Sequence, residues 1–233
     1  MRGQRPNSAL IIGASRGLGL ALAQEYANRG WSVVATVRGS GRTRLHEVAE
    51  RVSGRLSTEQ VDITDFSQIA ALRQRLNGRS FDLLFVNAGI ANGPQETISA
   101  VTTEEFIRVM VTNTLGPMRV VETLGDLVQP NGTIGVMSSR LGSVAANDTG
   151  GWEVYRASKA ALNTLMRSYA ARHKNDSRTF LLIAPGWVRT DLGGPNAALT
   201  IEESIPRVVD TIAAAFGKRG LHYFDYRGET LSW

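Results

Sequence analysis

The stretch Gly13-Ala14-Ser15-Arg16-Gly17-Leu18-Gly19 decides the fold of this chain. It follows a short apolar run, residues 8–12, and leads directly into an amphipathic segment, residues 17–29. Glycine permits a tight turn and a close approach to the backbone, and the first turn of a helix offers free amide donors. A glycine triad alone is weak evidence. Placed between a strand and a helix, it predicts a pyrophosphate site in a dinucleotide-binding fold.

Apolar runs alternate with amphipathic stretches along the whole sequence. The pattern predicts seven strands, at residues 8–12, 32–37, 56–61, 81–86, 133–137, 179–183 and 221–224. It predicts seven helices between them, at residues 17–29, 43–52, 66–76, 103–111, 115–127, 152–173 and 201–216. Because the strands are continuously apolar, both faces of the sheet are expected to be buried. We therefore expect an α/β fold with a doubly wound parallel sheet of about seven strands, a Rossmann fold, forming one domain over residues 1–233.

The composition is that of an ordinary globular protein, with 42% hydrophobic and 20% charged residues. The apolar stretches are too short to cross a bilayer, so we expect no membrane association. Residues 1–6 are basic but precede only a brief apolar run that ends in glycine, which does not match a secretory signal. The sequence has no cysteine, which excludes disulfides and thiolate metal sites. We expect a cytoplasmic protein without a metal.

The chain is basic, with a net charge of +5 and an isoelectric point near 10. Its arginines are scattered along the sequence, and the densest group is the local cluster within residues 38–44. This distribution and the absence of a recognisable motif argue against nucleic-acid binding. The excess charge is better explained by attraction to anionic, phosphorylated small molecules.

Tyr155 stands four residues before Lys159, in a chain with 23 arginines and only three lysines. On a helix, positions i and i+4 share a face. A nearby ammonium favours the phenolate, so we expect Lys159 to lower the pKa of Tyr155. The pair is a candidate acid/base group near neutral pH.

Two helices suggest contacts between subunits. The apolar residues of the segment 115–128 cover more than one stripe, and the helix at 152–173 has a face of small residues. We expect a homo-oligomer, a dimer or tetramer, that forms through the helices at 115–128 and 152–173. Ordinary packing within one chain is the alternative explanation.

Three motifs together resemble the classical short-chain dehydrogenase/reductase family: Gly13-x3-Gly17-x-Gly19, Asn87-Ala88-Gly89, and Tyr155-x3-Lys159. They occur in the family's order and cover nearly the whole chain. Residues 137–143, 150–152 and 224–233 are similar to the C-factor-like and sniffer-type carbonyl reductase branch. The family's usual threonine before the first glycine is Ile12 here, so the hydrogen bond of that hydroxyl is expected to be lost.

The resemblance implies four catalytic residues. Tyr155 would be the general acid that protonates a carbonyl oxygen, and Lys159 would bind the nicotinamide ribose. Ser139 would orient the substrate carbonyl, with Ser138 as the competing assignment. Asn113 would hold a proton-relay water near Lys159.

The resemblance also implies a cofactor. The end of the second strand carries Arg38 where NAD-binding folds place an acidic residue, and Arg16 lies in the glycine loop. Two guanidinium groups suit a 2′-phosphate, so NADP(H) is favoured over NAD(H). The implied cofactor-binding residues are Gly13, Ser15, Arg16, Gly17, Leu18, Gly19, Arg38, Asp62, Ile63, Asn87, Ala88, Gly89, Tyr155, Lys159, Pro185, Gly186, Val188 and Thr190.

The implied function is NADPH-dependent reduction of a small-molecule carbonyl, an aldehyde, ketone or quinone, to an alcohol. The alternative is a dinucleotide-binding signalling protein of C-factor type that requires no turnover. Only about ten residues separate Thr190 from the helix near 201, which suggests a short lid and an open site. Trp152, Trp187 and Leu141 are candidate apolar walls of that site.

Overall fold

Seven parallel strands form one sheet in the order β3-β2-β1-β4-β5-β6-β7. The computed structural model describes residues 7–52 and 54–233. The strands are β1 (Ser8–Ile12), β2 (Ser32–Val37), β3 (Leu56–Gln60), β4 (Phe81–Val86), β5 (Val128–Met137), β6 (Thr179–Ala184) and β7 (Gly220–Asp225). The predicted doubly wound sheet is confirmed.

Helices cover both faces of this sheet. They are α1 (Gly17–Asn28), α2 (Arg44–Arg51), α3 (Phe66–Arg75), α4 (Thr103–Met110), α5 (Gly116–Leu124), α6 (Glu153–Arg172) and α7 (Ile201–Ala215). One cluster of buried side chains includes Leu10 and Ile12 of β1, and a second includes their neighbours Ala9 and Ile11. Neighbouring residues of a strand point to opposite faces, so β1 is buried on both, as its apolar run predicts.

The strand order changes direction between β1 and β4. From β1 the chain builds outward to β2 and β3, and it then returns to the other side of β1 with β4. The loops after β1 and β4 therefore leave the sheet side by side, at its carboxyl edge. In open α/β sheets this is the crevice in which ligands bind.

Two of the differences from the predicted boundaries have a clear physical reason. β5 begins at Val128 rather than at residue 133, because Val128 pairs with Phe81 before a register shift. Asn131 within that shift has a φ of 67°, so the apolar pattern is interrupted there although the strand continues. The predicted helices at 103–111 and 115–127 are joined without a break by a π-helical turn, Val111–Leu115. Threonine and asparagine in this turn weaken the helical pattern in the sequence.

The apolar residues of the segment 115–128 are accounted for by packing within the chain. Six of them are buried in the core: Met118, Val120, Val121, Leu124, Leu127 and Val128. Only Leu115 is exposed, so the excess of apolar residues does not call for a second subunit. The small-residue face of α6 is different, since Ala157, Thr164 and Ser168 are exposed.

No helix within residues 7–52 or 54–233 combines the length and apolar character that a membrane crossing requires.

Candidate active site

The glycine loop after β1 is packed too tightly for side chains at two positions. A Cβ at Gly13, whose φ is 85°, would lie 2.8 Å from backbone atoms of Ala88. A Cβ at Gly19 would lie 2.0 Å from the carbonyl oxygen of Gly13. The Asn87 side-chain amide donates to that same oxygen at 3.0 Å. The loops after β1 and β4 are therefore held together as one unit.

Thr36 of β2 supports the glycine loop with two hydrogen bonds. Its hydroxyl oxygen accepts from the Gly13 amide at 3.0 Å, and its carbonyl accepts from Ala14 at 2.7 Å. The glycine loop thus has a supporting hydroxyl from the neighbouring strand, although Ile12 has none. The sequence gives little sign of this, because Thr36 lies in an otherwise apolar run that reads as ordinary core.

Two arginines lie exposed at the carboxyl edge near the glycine loop. Arg16 precedes α1, and its guanidinium is 3.4 Å from the Asp191 carboxylate, with both side chains more than three-quarters exposed. Exposed ion pairs of this kind contribute little, so Arg16 is free to turn to another anion. Arg38 follows the last residue of β2 and is also exposed. Both guanidinium groups are accessible to a phosphate.

The other predicted cofactor-binding residues lie in loops at the same edge. Asp62 and Ile63 follow β3, and the Asp62 carboxylate accepts from the Thr64 amide at 2.9 Å. Asn87, Ala88 and Gly89 follow β4, while Pro185, Gly186, Val188 and Thr190 follow β6. Ser15, Gly17 and Leu18 are half-buried beside them in the glycine loop. The fold brings these predicted residues to one crevice.

Tyr155 and Ser139 meet at the far end of this crevice. Tyr155 lies in the first turn of α6, and Ser139 precedes a short 3-10 turn, Arg140–Gly142. Burial raises the pKa of Tyr155 to about 12, while a hydrogen bond with the Ser139 side chain acts in the opposite direction. The sequence predicted a lowered pKa, and burial reverses that direction. The phenol is therefore protonated at neutral pH, the form that a general acid needs.

Lys159 is buried one turn beyond Tyr155. Its ammonium donates to the Met137 carbonyl at 3.0 Å and lies 5.8 Å from the centre of the Tyr155 ring. Burial lowers the pKa of Lys159 to about 8 from an ordinary 10.5. Burying a cation beside a neutral carbonyl costs folding free energy. Such costs are typical of functional positions.

Asn113 is fully buried in the π-helical turn. Its side-chain oxygen accepts from the Ile90 amide at 2.8 Å, and its amide donates to the Ile90 carbonyl at 2.8 Å and to the Ser158 hydroxyl at 3.0 Å. A Cβ at Gly89 would lie 3.4 Å from both the Asn113 side-chain oxygen and the Lys159 ammonium. Asn113 and Lys159 therefore approach the same point beside Gly89. π-Helical turns of this kind are frequent at functional sites.

The cost of burying Lys159 gives a testable pH dependence. Between pH 8 and 10.5 the unfolded chain holds a proton at Lys159 that the folded protein has released, so stability rises with pH across this window. Lys159→Met removes the buried charge but also a donor to Met137. We expect the Lys159→Met protein to be about 1 to 2 kcal/mol more stable than the unchanged protein at pH 7. The difference should shrink to near zero by pH 9.5, in thermal unfolding followed by circular dichroism.

The control for this experiment is Lys174→Met, since Lys174 is exposed. It should leave the pH dependence of stability unchanged. Above about pH 10 the buried tyrosines ionise more readily in the unfolded chain, which lowers the stability of the protein. The comparison therefore stops at pH 9.5. A constant difference between Lys159→Met and the unchanged protein from pH 7 to 9.5 would contradict the assigned burial cost.

Trp152 lies directly against Tyr155. Their ring centres are 6.0 Å apart in an edge-to-face arrangement. Trp152 has a φ of 53° and follows Gly150 and Gly151, which also have positive φ. A left-handed tryptophan is uncommon and costs free energy. Arg156 stabilises this turn, because its guanidinium donates to the carbonyls of both glycines.

The other two candidate walls differ from Trp152. Trp187 is 57% exposed, and its ring nitrogen donates to the Gly193 carbonyl at 2.8 Å. Leu141 is half-buried within the 3-10 turn. The segment between Thr190 and α7 contains turns and an isolated bridge between Val188 and Leu199, and no helix.

Two polar residues near the site were missed by sequence analysis. Asn163 is buried, and its side-chain oxygen accepts from the Ser138 hydroxyl at 2.6 Å. The Ser138 hydroxyl proton is therefore donated to Asn163 and not to Tyr155. The buried Tyr223 of β7 donates to the Ser139 carbonyl. Asn163 could have been found, because it stands four residues beyond Lys159 on the same helix face. Tyr223 lies in a distant strand, and no local spacing points to it.

No group of three or more His, Asp or Glu side chains among the described residues is arranged to hold a metal ion.

Comparison with known proteins places this crevice in context. The sequence profile described as "short chain dehydrogenase" matches residues 7–200. The chain is 34% identical to C-signal of Myxococcus xanthus over 154 residues, which cover 65% of this chain and 92% of that protein.

Solved structures match over almost the entire chain. A short-chain dehydrogenase/reductase from Burkholderia multivorans, solved with bound NADP, is 56% identical with a TM-score of 0.96. The match covers 98% of this chain and 100% of that one. The carbonyl reductase Sniffer of D. melanogaster is 30% identical with a TM-score of 0.91, at the same coverage of the two chains.

Proposed function

The chain belongs to the short-chain dehydrogenase family and is an NAD(P)-dependent oxidoreductase, and from this premise we propose that it reduces a carbonyl group with NADPH. The substrate class is a small aldehyde, ketone or quinone, and the product is the corresponding alcohol. The observation that carries the proposal is the contact between Tyr155 and Ser139 beside the buried Lys159.

The residues of the crevice suit this reaction. NADPH, when bound, supplies the hydride that the carbonyl carbon accepts. The Tyr155 phenol donates its proton to the carbonyl oxygen, and the Ser139 hydroxyl donates a hydrogen bond to the same oxygen. The Lys159 ammonium replaces the proton that Tyr155 gives up and takes a proton from water in turn. Asn113, which approaches the same point beside Gly89, would position that water. Tyr155 is protonated at neutral pH, so it can act as the acid in the reductive direction.

The glycine loop fits a dinucleotide. Gly13 is packed against Ala88 and Gly19 against the Gly13 carbonyl, which fixes the turn that leads into α1. The free amides at the amino end of α1 suit a pyrophosphate. The exposed arginines Arg16 and Arg38 suit the 2′-phosphate of NADP. The bound NADP of the Burkholderia multivorans relative supports the same cofactor here.

Replacing Arg38 by aspartate should shift cofactor preference. We expect Arg38→Asp to weaken NADPH binding by about 30-fold, since a charge-assisted hydrogen bond contributes about 1.5–3 kcal/mol. NADH, which lacks the 2′-phosphate, should bind within about threefold of its original affinity. Titration of protein fluorescence with each cofactor measures both affinities.

Arg219→Asp is the matched control, since Arg219 is exposed beside β7, at the other end of the sheet order. It makes the same change of net charge and should leave the NADPH-to-NADH affinity ratio unchanged. Equal weakening of both cofactors by Arg38→Asp would contradict a role in 2′-phosphate recognition.

The similarity to C-signal keeps a second function in view, a signalling protein that binds dinucleotide without turnover. The two functions can be distinguished by expressing variants in cells that lack the gene. Reductase function predicts that neither Tyr155→Phe nor Gly13→Val restores the phenotype. Signalling by binding alone predicts that Tyr155→Phe restores it and Gly13→Val does not, because only the second substitution blocks the cofactor loop.

We further propose a cytoplasmic homo-oligomer. The absence of cysteine fits a reducing compartment, and the exposed small-residue face of α6 would let a second helix approach closely. Light scattering coupled to size-exclusion chromatography tests the oligomer, and a monomeric mass at all concentrations would contradict it.

A further inference from the structure

A buried hydrogen-bond network lies beside the 3-10 turn that follows Ser139. The Ser138 hydroxyl donates to the Asn163 side-chain oxygen at 2.6 Å, and the Asn163 amide donates to the Gly142 carbonyl at 3.2 Å. Asn163 thus connects the residues on either side of Ser139. A Cβ at Gly142 would lie 2.9 Å from the Lys159 Cβ, so the turn is also packed directly on α6.

Tyr223 completes this network from the neighbouring strand. It lies in the middle of β7, is 1% exposed, and its hydroxyl donates to the main-chain carbonyl of Ser139. The side chains of Asn163 and Ser138 lie beside the Tyr223 hydroxyl. Among these contacts, the bond to Ser139 acts directly on the residue whose hydroxyl faces Tyr155.

The last described residues cover the outer side of the network. The Trp233 ring packs against Tyr223 at 5.5 Å between ring centres, and the Arg167 guanidinium lies 4.8 Å from the Trp233 ring. The main-chain oxygen of Trp233 accepts from the Ala145 amide at 3.0 Å. Tyr223 is therefore shielded from water, which strengthens its hydrogen bond to Ser139.

We propose that Tyr223 is a positioning residue for Ser139, with Asn163 as its partner: its hydroxyl holds the Ser139 backbone so that the Ser139 hydroxyl meets Tyr155. A displacement of about 1 Å at a reacting group can cost about 100-fold in rate. Tyr223 touches neither substrate nor cofactor in this role. The inference rests on the proposed function, since it concerns the same reaction.

Tyr223→Phe tests the inference, because it keeps the ring and removes only the hydroxyl. We expect kcat to fall about tenfold, with the dissociation constant of NADPH unchanged within twofold. Rates are expressed per NADPH-binding site, so that a loss of folded protein does not imitate a loss of catalysis. Tyr26→Phe is the matched control, since the buried Tyr26 hydroxyl has no hydrogen-bond partner among the described residues. It should leave kcat unchanged.

A double-mutant cycle with Ser139→Ala separates positioning from a general structural effect. If Tyr223 acts through the Ser139 hydroxyl, Tyr223→Phe causes no further loss in the Ser139→Ala background. A full rate in Tyr223→Phe, or the same tenfold loss in both backgrounds, overturns the inference. Failure of the proposed function would be visible separately, as absence of carbonyl reduction by the unchanged protein.

Discussion

Tyr155→Phe is expected to lower kcat for carbonyl reduction by about 1,000-fold, while NADPH affinity stays within about threefold. The substitution removes only the proton donor, and the ring keeps its edge-to-face contact with Trp152. General acid catalysis by a positioned side chain contributes about 100- to 10,000-fold, and the raised pKa of Tyr155 keeps it in the acid form at neutral pH. Stopped-flow measurement of NADPH absorbance under single-turnover conditions gives the chemical rate directly.

The comparison needs a tyrosine that is buried but remote from the crevice. Tyr26 of α1 serves this purpose, and Tyr26→Phe should turn over at the original rate. A Tyr155→Phe protein that retains more than about a tenth of the original rate would show that another group protonates the substrate. A loss of NADPH affinity as large as the loss of rate would instead assign Tyr155 to cofactor binding.

Gly19→Ala is expected to weaken NADPH binding by at least about 100-fold. Gly19 lies in α1, so helix propensity alone would predict that alanine raises the stability of the protein by about 1 kcal/mol. The added Cβ, however, would lie 2.0 Å from the Gly13 carbonyl oxygen and 2.6 Å from the Asn87 amide nitrogen. Backbone and cofactor loop must move to relieve these contacts, at a cost of about 3 kcal/mol. Isothermal titration with NADPH and thermal unfolding measure the two effects.

Gly41→Ala is the control for the glycine loop. A Cβ at Gly41 meets nothing within 4 Å among the described residues, and its φ is not positive. Affinity and melting temperature should stay close to those of the unchanged protein. A Gly19→Ala protein that is more stable and binds NADPH normally would mean that the loop does not need the close packing seen here.

Most of the fold could be predicted from sequence because its signals are local. The continuous apolar run at residues 8–12 and the glycines that follow specify a buried strand, a turn and a helix within about twenty residues. The π-helical turn around Asn113 could not be predicted in this way. There the Asn113 side chain hydrogen-bonds with Ile90 and Ser158, which are distant in sequence, and no local pattern indicates these contacts.

The site was predictable where its residues share one element. Tyr155 and Lys159 are separated by one helical turn, so their spacing in the sequence is their spacing in space. The pKa of Tyr155 was predicted in the wrong direction, because burial, which depends on the surrounding fold, raises it. The Lys159 ammonium donates to Met137 instead. Tyr223 and Thr36 act from neighbouring strands, and only the sheet order brings them to Ser139 and Gly13.

Transfer of isotope from cofactor to product tests the central claim most directly. The protein would be incubated with NADPH carrying deuterium at the transferred position and with a panel of aldehydes, ketones and quinones. The account predicts an alcohol product that carries one deuterium from the cofactor, formed by the unchanged protein and by Tyr26→Phe but not by Tyr155→Phe. Absence of a labelled product with every carbonyl compound, or equal labelling by Tyr155→Phe, would contradict it.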